Sequence, residues 1–68
     1  MLQSILFDKH LFTLPDAHYW LYKHHIKPIK AVHITENYYR FRINKPVSRY
    51  RYYAIKPEDG VVMIHQTN

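Results

Sequence analysis

The chain changes its hydrophobic period once, at Pro28, and that switch restricts its fold more than any other feature. Before it, Leu14, Ala17, Trp20, Leu21 and His24 gather on one side of a helical wheel, away from Pro15, Asp16, Tyr19, Tyr22 and Lys23. After it, from Ile29, side chains alternate with period two, as in strands. A chain with one amphipathic helix and otherwise strands has one economical solution, in which the helix covers a sheet. The helix start is written in "FTLPDA". Thr13 caps, Asp16 completes an acidic capping box, and Pro15 lies in the first turn, where its missing N–H does no harm. The residue before a proline disfavours helical geometry, so a helix of about three turns stops before Pro28. His24, His25 and Lys27 then sit at the end of the dipole that favours positive charge.

The remaining segments are bounded by turn residues. Leu2 to Phe7 reads as a short first strand, Ile29 to Ile34 as the second, and Thr35 to Asn37 as a turn. Tyr38 to Asn44 is the third strand, Lys45 to Ser48 a loop, and Arg49 to Lys56 the fourth strand. "PEDG", Pro57 to Gly60, has proline and glycine where a type I turn uses them, and Val61 to His65 follows as the last strand. The expected fold class is α+β, one amphipathic helix packed on a four- to five-stranded antiparallel sheet, with residues 1–68 forming a single small domain. A chain of 68 residues hides only roughly 60% of its unfolded surface. It therefore depends on large side chains, which its seven tyrosines, three phenylalanines and one tryptophan supply.

Several classes are excluded early. Without cysteine there is no disulfide or thiolate metal site. No apolar run approaches the roughly 18 residues of a membrane span, and Met1 to Phe7 is a short apolar patch without a basic n-region, followed at once by Asp8-Lys9, so no signal peptide is expected. An apolar content of 47% with one glycine argues against disorder.

Charge is distributed very unevenly. Of the net +5, the segment from Asn37 to Pro57 carries six bases (Arg40, Arg42, Lys45, Arg49, Arg51, Lys56) and no acid, hence +6. Everything else has four lysines against five acids, hence −1. If Lys45 to Ser48 is a hairpin loop, Ile43, Phe41 and Tyr39 face Tyr50, Tyr52 and Ala54 on an apolar side. The other side then sets Arg42 opposite Arg51 and Arg40 opposite Tyr53, with Arg49 at the loop end and Tyr38 beyond. Like charges across a ladder weaken a sheet, so such a face suits an anionic partner. The expected interface is Arg40, Arg42, Arg49, Arg51 and Lys45 on phosphates, with Tyr38 and Tyr53 offering rings to bases. Counting on through the PEDG turn puts Ile55, Val62, Ile64 and Tyr53 on this same side. A bulge, a sheet covered on both faces, or a second copy docked on the apolar half would each explain it. The rival expectation is thus a structural protein that self-associates through its sheet.

Other chemistry is weaker. The six histidines include no i, i+4 pair and no HExxH spacing, so no metal and no cofactor are expected. Ser4 and Ser48 lack a base-orienter arrangement, and Glu58-Asp59 is turn chemistry. The expectation is a non-enzymatic protein with no small-molecule substrate.

Phe7-Asp8, Phe12-Thr13, Ala17, Trp20-Leu21, His24, Lys27-Pro28-Ile29-Lys30, Pro46, Tyr50-Arg51, Ile55 and Gly60-Val61 occur in that order. Between them lies Thr35-x-Asn37-Tyr38-x-Arg40-Phe41-Arg42. Together they resemble a short module in open reading frames of tailed phages and large DNA viruses. That module has glycine where this chain has Ile26, and another near His65. The resemblance implies a viral or phage origin, hence host cytoplasm, host nucleus or virion; it makes the self-associating rival a virion structural or host-protein interaction module, and brings no catalytic residues with it.

Overall fold

Thr13 and Asp16 cap the helix reciprocally, as their spacing requires. The Asp16 amide donates to Thr13 Oγ1 (3.2 Å), and the Thr13 amide donates to Asp16 Oδ2 (3.1 Å). The computed structural model describes residues 1–67. Its elements are β1 (Leu2–Asp8), α1 (Leu14–Lys23), β2 (His33–Ile34), β3 (Tyr38–Arg42), β4 (Arg51–Glu58) and β5 (Val61–Thr67). The α+β expectation holds: α1 lies on one face of an antiparallel five-stranded sheet.

The helix stops at Lys23 with His24 as its C-cap. The amide of Ile26 donates to the Leu21 carbonyl (3.0 Å) and that of His25 to Tyr22 (3.1 Å), the two bonds of a Schellman closure. This closure needs a left-handed residue, which His25 provides at φ 57°. The strain on an L side chain there is of order 1–2 kcal/mol, partly offset by the extra freedom a glycine has in the unfolded chain. We expect His25→Gly to stabilise by about 0.5–1 kcal/mol, raising the melting midpoint by about 3–8 °C in a domain of this size. Thermal unfolding followed by circular dichroism checks it; an unchanged or lower midpoint counts against the strain.

Paired residues share a face of the sheet. Ile5 and Phe7 of β1, Tyr39 and Phe41 of β3, and Val61 and Met63 of β5 therefore point together toward the helix. Ala17, Trp20 and Leu21 come down on them. Phe7 is the hub, edge-to-face with Phe12 (5.2 Å), Trp20 (5.5 Å) and Phe41 (5.7 Å). The indole N–H of Trp20 donates to Glu58 Oε1 at 2.7 Å, so the ring is buried without an orphan donor.

The strand order is β2-β3-β1-β5-β4, and this overturns the expected arginine hairpin. β3 pairs with β2 and β1, while β4 pairs only with β5. Sequence neighbours usually pair, but the inner places go to strands that bury residues on both faces. β1 offers Ile5 and Phe7 to one side and Ser4 and Leu6 to the other; β5 offers Val61 and Met63, then Val62 and Ile64. β3, with arginines on one side, and β4, exposed along its whole length, are left outside them. Residues 43–50 cross from one half of the sheet to the other, over the end of the face away from the helix. Gln66 pins this crossover: its Oε1 accepts from the Val47 amide (3.0 Å), and its Nε2 donates to the Lys45 carbonyl (2.8 Å).

Several boundaries shift for local reasons. Only His33 and Ile34 of the expected second strand join the ladder, whereas Pro57 and Glu58 stay in β4 and Gly60 (φ 82°) closes the turn. A bulge between Ile55 and Glu58 shifts the β4–β5 register, so Ile55 faces Met63 and Glu58 faces Val61. No helix among the described residues is long and apolar enough to cross a membrane.

Candidate nucleic-acid interface

β3 alternates, so Arg40 and Arg42 share one face with Tyr38, and the register fixes which one. Arg40 is opposite Leu6, which is opposite Val62, on the side away from the helix. Arg51 and Tyr53 go the other way. Ile64 faces Ala54, so Ala54 and Tyr52 share the side of Arg40, while Arg51, Tyr53 and Ile55 take the helix side. Tyr53 there stacks on His65 (5.2 Å between centroids, 12° between planes). The seven expected residues therefore do not form one platform. Tyr38, Arg40 and Arg42 are together, Lys45 and Arg49 ride exposed on the crossover, and Arg51 and Tyr53 stand at the far edge on the opposite face. The expected Arg42–Arg51 and Arg40–Tyr53 pairs do not occur, because two strands separate β3 from β4.

The structure assembles a different basic cluster. Arg40 and Arg42 line a recess of about 200 Å³ with Lys30, Ala31 and His33. His33 is directly opposite Arg40 on β2, and Lys30 precedes it in the segment anchored by the Ile29 amide on the Arg42 carbonyl (2.9 Å). The arginine stems are half-buried against the sheet, while Lys30 and His33 are exposed. Lys30 and His33 were missed in the sequence, although pairing across the Thr35–Asn37 turn brings His33 to Arg40.

No acid lines this recess. Among the described residues the one ion-pair contact is His10 with Asp8 (3.0 Å), so no guanidinium lies within 4 Å of a carboxylate. The acids have other tasks. Asp16 caps α1 and Glu58 accepts from Trp20. Asp8 accepts from the His10 amide (2.8 Å) and meets its ring, bonds that hold the Asp8 carboxyl below its ordinary range. Lys9 is likewise occupied, donating to the Thr35 carbonyl at 3.1 Å.

Beside the recess runs an open groove of about 530 Å³, with Ser4, Leu6 and Ile64 along its floor and Tyr38, Pro46, Tyr52 and Arg40 around it. Arg40 borders both spaces. The Tyr52 hydroxyl donates to the Val47 carbonyl (3.2 Å), tying that ring to the crossover. Chemically, the corner offers fixed positive charge that no carboxylate neutralises, next to an apolar slot flanked by two tyrosines. Among the described residues no three His, Asp or Glu side chains gather to hold a metal ion. In comparisons with protein-family models, curated proteins and solved structures, nothing matches this chain.

Proposed function

We propose that this chain is a small, non-enzymatic, viral-type module that binds nucleic acid through its phosphate backbone. Arg40, Arg42 and Lys30 make the contacts, with the His33 ring beside them as a further hydrogen-bonding group. Lys45 and Arg49, on the exposed crossover, add longer-range attraction. One observation carries the reading: Lys30, His33, Arg40 and Arg42 surround a recess whose lining holds no carboxylate. A cluster of this kind repels itself unless an anion neutralises it, and guanidinium forks match phosphate oxygens in geometry.

The test is binding of a labelled oligonucleotide across a salt series. With about three phosphates neutralised, log affinity should fall against log salt with a slope of roughly −2 to −3. Arg40→Ser with Arg42→Ser should flatten that slope by about two and weaken binding about 10- to 100-fold at moderate salt. Arg51→Ser, on the other face, should change little. Binding indifferent to salt, or equal loss in the Arg51 variant, would overturn the assignment.

A second reading, self-association through the sheet, draws on β4. All eight of its residues are exposed, and Tyr52, Tyr53 and Ile55 are among the large side chains facing solvent. An uncovered edge of this kind is a template for another strand. Sedimentation of the free protein separates the readings, because a monomer throughout the micromolar range removes the second.

A further inference from the structure

The groove beside the basic recess gives the proposed ligand a more specific form. We infer that the partner is a single strand, whose unpaired base enters the groove beside Tyr38 while its phosphates lie on Arg40 and Arg42. This rests on the phosphate reading above and adds a base-binding site to it.

Two observations converge on this site. First, the sheet juxtaposes the two chemistries: Arg40 is the direct cross-strand partner of Leu6, and Arg42 that of Ser4, which in turn faces Ile64. Cross-strand partners stand roughly 5 Å apart, so a cationic strand borders an apolar floor with no spacer between them. A ligand that alternates flat rings with phosphates matches that border; a purely apolar ligand would leave the arginines unused. Second, the groove is accessible. The helix covers the opposite face, Pro46 of the crossover lines only part of the groove, and Leu6, Val62 and Ile64 stay partly exposed. Tyr38 and Tyr52 both project on this side of the sheet and line the space. Rings beside an open floor can stack on bases of any sequence. A duplex keeps its base faces stacked inside and can use only the recess.

The experiment compares three probes at one ionic strength: an intact single strand, the same strand made abasic, and a duplex of equal length. The intact strand should bind about tenfold more tightly than the abasic one, which keeps every phosphate but has no ring to stack. Tyr38→Ala should remove that advantage and Tyr38→Phe should retain it, while Tyr53→Ala, on the other face, should leave it unchanged. Duplex binding with its salt slope intact would show that the Tyr38→Ala protein is folded. Equal affinity for intact and abasic strands in the native protein overturns the base site alone; the phosphate reading then stands as long as the Arg40→Ser/Arg42→Ser variant binds more weakly. If none of the three probes binds better to the native protein than to the Arg40→Ser/Arg42→Ser variant, both proposals fail.

Discussion

Phe7→Ala is expected to leave the domain largely unfolded at 37 °C. Phe7 has no exposed surface and touches three other aromatic rings, so its removal opens a hole that the helix, β3 and the Phe12 turn all border. Truncating a buried phenylalanine costs about 3–5 kcal/mol. A domain of 68 residues has roughly 3–10 kcal/mol in total, so the loss is of the same order as the whole. Urea unfolding monitored by Trp20 fluorescence would show the midpoint falling toward zero denaturant. A variant that kept most of its stability would mean that the ring cluster is not the centre of the fold.

Gln66→Leu should have the second largest effect, by a different route. The side chain is 1% exposed and holds the crossover by one accepted and one donated bond. Leucine is similar in volume but leaves the Val47 amide and the Lys45 carbonyl without these partners. An unsatisfied, partly buried polar group costs about 1–3 kcal/mol, so we expect a loss of about 2 kcal/mol and a melting midpoint lower by roughly 8–16 °C. The local consequence is more diagnostic than the midpoint. The Val47 amide should exchange with solvent much faster, while core amides of β1 slow or quicken only with global stability. Preserved protection at Val47 would show that the crossover is held by other means. Because Lys45 and Arg49 lie on this segment, the same variant should also weaken polyanion binding modestly.

The local signals in the sequence were reliable where the physics is local. The Thr13–Asp16 box, the Ala17–Trp20–Leu21 face and the turns at Thr35–Asn37 and before Val61 all appear where the residues call for them. Alternation also assigned Arg40 and Arg42 correctly to one face of their strand. It could not say which strand lies next door. β1 pairs with β3 and β5, partners thirty or more residues away, and no turn chemistry encodes such a pairing. A trace of it was present all the same. Val62 and Ile64 fell on the arginine side, an anomaly for a two-stranded arginine face, and that is where they lie, on a strand set between β1 and β4. Tyr53 and Ile55 were misplaced because the bulge after Ile55 adds one residue to β4 and reverses the faces counted back from the turn. As a result, of the two rings expected to meet bases, Tyr38 lines the groove and Tyr53 does not, while Tyr52 does.

The strand order has a kinetic implication as well. The earliest strand of the sheet needs the latest as its neighbour, so a growing polypeptide cannot complete its middle layer until Val61 to Thr67 has emerged. Loops of that span close slowly, and topologies dominated by distant contacts fold more slowly than local ones. Throughout that interval the "SILF" stretch, Ser4 to Phe7, waits without its partner, which makes nascent chains stalled late in synthesis the form most exposed to aggregation.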